Sequence, residues 1–447
     1  MNHKKKDGSA GTLDPLFGDG GKVELTHEGE RGNNPYAILA LNDNKLLYAD
    51  RKNLGSKAIR VRLMHSNGFF DGQFGVGGSV ELFAGANNSP YEVGLCSYTN
   101  DKWLLTGLVY ESESEAPLLF IARLNIKGEL DLSFGEGGIA TINLYDLVGV
   151  KYKPQSQATP KVENTNPSGR SSRASSSTAG SVVVQPDGRI VLPLTFVGAG
   201  LEKGLVIRLA PNGSPDKSFN GAGFVFVELE GIEHWASNST SVAVQESGKI
   251  TVYGTYLIRD EARNYVVRFK EDGQFDADFN KGTAVIIVGR ESELLFAGSI
   301  AIRESDGAIL VVGGAYRSAK TEGVIVVLDA AGAADPGFNG GQPLFSSMLT
   351  EGVGWDFCGW QKESQAIIVA GSGGSNSENA SLLLARFLPD GSSDSSFNGQ
   401  GWTQFNEAAG SSGYRDAAVM TDNKVVLCAK VYIGLTSSHG CLVRYLT

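Results

Sequence analysis

Leu130-Asp131-Leu132-Ser133-Phe134-Gly135-Glu136-Gly137-Gly138 decides how this chain is read. Its core, D-x-x-F followed by Gly or Asn, recurs with phenylalanines at 17, 74, 134, 219, 279, 338 and 397. Subtracting successive positions leaves gaps of 57, 60, 85, 60, 59 and 59 residues. A near-constant period sets the architecture before any local pattern does. Seven units of about 60 residues replace the two or three unrelated domains that 447 residues would otherwise suggest.

Working outward from an anchor, each unit carries four apolar runs. After Phe219 come Phe224-Val225-Phe226-Val227, Ser241-Val242-Ala243-Val244, Ile250-Thr251-Val252-Tyr253 and Tyr265-Val266-Val267-Arg268-Phe269. The runs are short, β-branched or aromatic, and bounded by Gly, Asn and Asp, which predicts strands. Asp187-Gly188 and Asn212-Gly213 supply the positive φ that tight turns need. Four short antiparallel strands in each of seven units predict an all-β fold, a single seven-bladed β-propeller of four-stranded antiparallel blades. A flat sheet of that many strands would leave long edges.

The second run is rich in small residues, as in Ser181-Val182-Val183-Val184 and Ser299-Ile300-Ala301-Ile302, which suits a crowded axis. A blade is therefore phased as second, third and fourth runs plus the first run of the next repeat. On that phasing Lys22-Val23-Glu24-Leu25 returns to close the last blade, whose other strands lie near 415–446. Blades built from one continuous repeat are the open alternative. The chain divides into a lead-in at 1–11 and a propeller at 12–447.

The unit L-D-x-x-F-G-x-G-G, V-x-V-x-x-D-G-K-I, A-R-L-x-x-x-G resembles the delta-60 repeat, a bacterial family that forms β-propellers. The resemblance runs from Leu13 to Tyr445, and Leu130–Gly138 is its closest copy. Later repeats depart from it with Phe-Asn for Phe-Gly, and the sixth has Val327 where others carry Arg. The resemblance implies the propeller fold and no substrate.

Lys plus Arg is 39 against 49 Asp plus Glu, a net charge of −10 that works against nucleic-acid binding. The basic cluster Lys4-Lys5-Lys6 has no apolar region after it and makes a poor secretory signal. No stretch reaches the ~18 apolar residues of a membrane span. A monomeric cytoplasmic protein is expected, with export by a route lacking a signal peptide left open. Cysteines 96, 358, 428 and 441 show no C-x-x-C spacing, so no zinc is expected. Cys428 and Cys441 read as buried thiols rather than a disulfide.

The anchor aspartates read as turn formers and not as metal ligands, since Asp accepts backbone N–H bonds two residues on. Arg62, Arg123, Arg208, Arg268, Arg386 and Arg444 close the fourth runs and are expected to brace them. Function is then sought on the opposite face, in the loops 26–36, 84–92, 143–180, 229–240, 289–298, 346–356 and 406–415. The 85-residue gap holds a Ser/Pro-rich basic insertion at 145–178, expected to be flexible and carrying Arg170 and Arg173. Tyr36, Tyr91, Trp235, Phe296, Trp355 and Tyr414 precede inner strands, with Trp360 nearby. Such rings pack between blades or, exposed, stack on sugars and anchor protein partners. Glu111, Glu113, Glu115, Glu230, Glu233, Glu291 and Glu293 read as a solvated rim.

No G-x-S-x-G, H-E-x-x-H, Walker or EF-hand pattern is present. No catalytic residue, metal or cofactor is assigned. The expected function is a non-enzymatic binding propeller that recognises a protein or glycan through its loop face. The competing readings are a glycosidase- or lactonase-like hydrolase with an axial carboxylate site, and a structural scaffold.

Overall fold

The apolar runs become 28 strands in a computed structural model that describes residues 8–25, 34–51, 56–83, 90–109, 117–150, 182–198, 200–290, 294–318, 320–362, 364–374, 379–407, 410–433 and 437–447. After β1 (Lys22–Glu24) comes a sheet of β2 (Asn34–Ala40), β3 (Leu46–Arg51), β4 (Ile59–Met64) and β5 (Val80–Leu82). The second sheet is β6 (Tyr91–Thr99), β7 (Lys102–Val109), β8 (Leu118–Asn125) and β9 (Ile139–Asn143), which runs into helix α1 (Leu144–Val148). The third is β10 (Val183–Val184), β11 (Ile190–Gly198), β12 (Leu201–Leu209) and β13 (Phe224–Phe226).

A larger sheet follows. It joins β14 (Ala236–Val244), β15 (Ile250–Ile258), β16 (Glu261–Phe269) and β17 (Val285–Ile287) to β18 (Leu294–Ile302), β19 (Ile309–Arg317), β20 (Lys320–Leu328) and β21 (Leu344–Ser346). The fifth sheet is β22 (Val353–Trp360), β23 (Ile367–Gly373), β24 (Ser381–Phe387) and β25 (Trp402–Phe405). The last is β26 (Ser411–Val419), β27 (Val425–Ile433) and β28 (Ser437–Tyr445), with β1 laid on β28.

The expectation of seven separate blades is corrected by this hydrogen bonding. Among the described residues there are six sheets, five of four strands and one of eight. Ala262 of β16 pairs in parallel with Leu294 of β18, and that bridge welds two consecutive four-strand units together. A repeat period counts units along the chain; it does not dictate which strand edges meet. The strand phasing is the expected one, each four-strand set ending on the first run of the next repeat. The second runs β2, β6, β10, β14, β18, β22 and β26 lie inside, each against the next, with β26 against β2. The result is an all-β propeller of antiparallel four-stranded blades.

The anchors explain the register between neighbours. In all seven, Asp Oδ1 accepts the N–H of the residue two positions on, at 2.8–3.3 Å. The residue after the Phe then donates its N–H to a hairpin carbonyl of the following unit, at 2.8–2.9 Å. That residue sits at φ between +44° and +59°, which Gly adopts freely and Asn tolerates. The switch from Phe-Gly to Phe-Asn keeps this geometry and adds a cap. Asn220, Asn280, Asn339 and Asn398 each donate Nδ2 to the carbonyl four residues on, at 3.0–3.2 Å. The receiving hairpin needs glycine for a second reason: a Cβ on Gly213 would lie 2.8 Å from Phe134 Cζ.

Arginine completes the clasp. Arg444, Arg123, Arg208, Arg268 and Arg386 donate Nε to Asp14, Asp131, Asp216, Asp276 and Asp394 at 2.6–2.9 Å. Each guanidinium also lies 4.4–5.2 Å over the ring centroid of its anchor Phe. At Asp276 burial opposes ionisation, but bonds from Lys249, Arg268 and the Asp278 N–H outweigh it and hold the carboxyl below its usual range. Arg62 is not part of this set. The Asp71 N–H bonds to Leu63, so Leu63 holds the position that Arg123 holds before Asp131. One residue of offset turns a side chain to the other sheet face. Arg62 therefore stacks on Phe70 at 3.6 Å and lies 3.7 Å from Asp50, which Arg60 grips with two bonds.

The last sheet meets the first through a shared core of Leu46, Tyr48 and Met64 with Val426, Cys428 and Leu442. The register Val23↔Leu442 places β1 on β28, and Asn398 N–H reaches the Ala10 carbonyl. Cys428 opposes Leu442 and Cys441 opposes Ala429, so the two thiols are offset by one residue and remain free. Burial pushes the Cys441 thiol up to about 12. Between inner strands, Ser241 Oγ accepts the Ile300 N–H at 3.3 Å. At the closing seam a carboxylate takes that role: Asp416 Oδ2 accepts the Ile38 N–H at 2.9 Å while Oδ1 accepts the Ala417 N–H. Burial pushes Asp416 up to about 7, against the pull of those two bonds. Tyr414 and Cys428 stand beside it, and Arg415 lies near Cys428.

Two measurements check this account. Phe134 is fully buried, and Phe134→Ala is expected to cost about 3–5 kcal/mol in chemical denaturation. The Asp416 carboxyl binds a proton in the folded chain between its unfolded value near 4 and about 7. Its contribution is therefore complete below about pH 4 and is lost as pH rises through 7. Asp416→Asn removes this dependence, so the variant should gain about 3–5 kcal/mol on the wild type between pH 4 and pH 8. Parallel stability curves for the two proteins would contradict the assignment.

Candidate functional site

On the face away from the anchors, the β13–β14 loop runs beside the turn between β15 and β16. Trp235 ends that loop. Its N–H bonds to the Leu257 carbonyl at 3.1 Å and its indole Nε1 to the Arg259 carbonyl at 3.4 Å. The ring is nevertheless 64% exposed. Its backbone is fixed and its face is open, which makes it a rigid platform. His234 turns back, with Nδ1 2.8 Å from the Ile232 carbonyl and its ring edge-on to buried Tyr256. Arg259 and Asp260 form the adjacent tip, with Arg263 and Glu261 paired beside it.

Trp235 is not alone. Leu257, whose carbonyl holds the Trp235 N–H, pairs with Ala262, and Ala262 bridges to exposed Leu294. Exposed Val197 and Leu201 flank the β11–β12 tip on one side, and exposed Val288 follows β17 on the other. These aliphatic positions were not picked out in the sequence, where single Val and Leu residues at strand ends look like core.

The other aromatic positions lie deeper. Trp355 is fully buried, with Nε1 donated to Ser346 Oγ at 2.8 Å and the indole against Gly323. Tyr414 is buried in the core between the last two sheets, and its hydroxyl has no hydrogen-bond partner. Tyr36 is half-buried and donates its hydroxyl to the Pro90 carbonyl at 3.3 Å. Tyr91 is half-buried against the core of the second and third sheets. Phe296 is half-buried and lies on Gly314, whose missing side chain leaves room for the ring. Trp360 ends β22 on the anchor side, where Arg303 covers it at 4.5 Å. Of the aromatics expected at the rim, Trp235 is the one presented to solvent.

Arg170, Arg173 and positions 151–178 of the expected insertion lie outside the described residues, as do Glu111, Glu113, Glu115, Glu291 and Glu293. Glu230 and Glu233 are exposed. The start of the insertion is helical. Asn143 caps α1 by accepting the Tyr145 and Asp146 N–H groups, and Gly149 ends it at φ +73°. That Asn–Gly spacing was a legible helix signal. Among the described residues no group of three or more His, Cys, Asp or Glu side chains is placed to hold a metal. Asp416, an acid on an inner strand, has its oxygens taken by backbone donors and is sealed from solvent.

Residues 185–219, 245–279 and 367–397 match the family described as a domain of unknown function (DUF5122) beta-propeller. Each matched segment ends on an anchor Phe. No curated protein matches the chain. Among solved structures, the polysaccharide lyase Uly1 aligns at a TM-score of 0.50 with 10% identity, over 98% of this chain and 97% of that one. A protein of unknown function from Dyadobacter fermentans aligns at 0.46 with 9% identity, over 96% of this chain and 100% of that one. The alpha-L-arabinanase of Penicillium chrysogenum aligns at 0.44 with 12% identity, over 79% of this chain and 92% of that one. At such identities a likeness concerns the fold. No described helix is long and apolar enough to cross a membrane. The chain is a β-propeller, similar in three of its segments to the DUF5122 propeller family.

Proposed function

We propose that this protein is a non-enzymatic binding propeller of the delta-60 repeat type that takes a partner on its loop face, with Trp235 as the central contact. The observation that carries the reading is an indole fixed at two backbone bonds yet 64% exposed. A large ring held in one position loses little conformational freedom when it is covered, which is why Trp dominates binding energetics. Val197, Leu201, Val288 and Leu294, at the strand ends of the same and the preceding sheet, are exposed as well. An indole alone would suit the apolar face of a sugar. Aliphatic neighbours favour a protein partner, because they contribute by being buried and offer a sugar no hydrogen bonds.

The test compares wild type with Trp235→Ala in affinity capture from cells that make the protein, and on a glycan array. The exposed substitution should leave stability within about 0.5 kcal/mol. A captured protein lost with the variant is the expected result. A glycan signal lost with the variant would move the reading from protein to sugar. Partners retained at wild-type strength by Trp235→Ala would remove Trp235 from the site.

A further inference from the structure

A second site lies apart from Trp235, between the second and third sheets. There the ends of β7 and β8 face β11 across a pocket of about 260 Å³, counted out to its open mouth. Its enclosed part is the size of one water molecule. Leu108, Leu119, Leu192 and Leu194 line it, and Thr106 and Glu92 are the polar residues of the lining. Glu92 has neither a hydrogen-bond nor an ion-pair partner among the described residues, and burial alone raises its carboxyl above the usual range.

The backbone holds it there at some cost. Glu92 has φ +50°, in a region that a side chain as large as Glu rarely adopts. It lies in the register break between Tyr91 and Gly94, and a bulge of this kind re-aims a side chain. A core position would be filled at lower cost by leucine. An acid with no counter-charge among the described residues, on leucine walls, with space for one water-sized group, has the features of a cation site.

We propose that Glu92 and Thr106 form a recognition site for a primary alkylammonium group, its nitrogen in the enclosed part of the pocket and its alkyl stem in the leucine-lined mouth. Size selects the head group. An ammonium is isosteric with water, whereas guanidinium and quaternary ammonium groups are larger than the enclosed space. Charge selects the sign: the carboxylate offers acceptors only, and Thr106 Oγ1 supplies another. The same chemistry comes from a free amine or from a lysine side chain. The site goes beyond the loop-face reading and does not depend on Trp235.

The experiment is calorimetric titration of the full chain with n-butylammonium, Nα-acetyl-lysine amide, guanidinium and tetramethylammonium, each as the chloride. Saturable butylammonium binding is expected, strengthening from pH 4 to pH 8 as Glu92 ionises. It should weaken at least about tenfold in Glu92→Gln and persist in Trp235→Ala. Binding of the lysine derivative as well marks a site that reads lysine; butylammonium alone marks a free-amine site. The pH dependence in wild type carries the test should Glu92→Gln fold poorly. No saturation by about 50 mM, equal binding of tetramethylammonium, or undiminished binding in a folded Glu92→Gln protein would overturn the assignment.

Discussion

One backbone hydrogen bond per anchor holds the units of this propeller together. The N–H after each anchor Phe reaches a carbonyl in the next hairpin, and the donor must be left-handed to point there. Much else follows from that constraint. It explains Gly or Asn after every Phe, and it brings the ring of one unit under the hairpin glycine of the next. The Asp of the motif sets the turn that aims the donor, and in five units an Arg locks the Asp while covering the ring. The motif is a clasp between neighbours as much as a turn within one.

A ring of clasps is only as good as its last link. Here Asn398 reaches Ala10, Arg444 grips Asp14, and β1 lies on β28, so the first described strand and the last belong to the same sheet. Closure removes the edge that an open array would expose. The seam also differs from that between β14 and β18 by using a buried carboxylate, Asp416, where the other uses the Ser241 hydroxyl. A hydroxyl bridge is indifferent to pH. A buried acid is not, and the closing seam is the place where that difference would be felt first.

Because the anchor face is stitched to itself, variation is left to the other face. Trp235 stands on a loop whose backbone is tied into β15, so its exposure comes with rigidity. Trp355, the other tryptophan expected ahead of an inner strand, instead lies within β22 at the register break that Ser239 occupies in β14, and it is buried where Ser346 offers its nitrogen a partner and Gly323 offers the ring space. What separates them is their place on the strand and the room there, not residue type. Glu92 shows the reverse case, a charged residue set by a register break on the lining of an apolar pocket.

The strands, their phasing, the anchor turns and the small inner runs were legible along the chain, since each rests on local chemistry repeated at a fixed period. The outward choice of Trp235 over Trp355 was not, because exposure is decided by residues that arrive from other units. Nor was the one-residue offset that turns Arg62 away from Asp71, since spacing alone cannot tell which of Arg62 and Leu63 pairs with the anchor. The sheet count belonged to tertiary structure as well: a single parallel bridge at Ala262 and Leu294 merges two units that the repeat keeps distinct. A period is a property of the chain. Edge pairing, burial and the company a side chain keeps are properties of the packed ring.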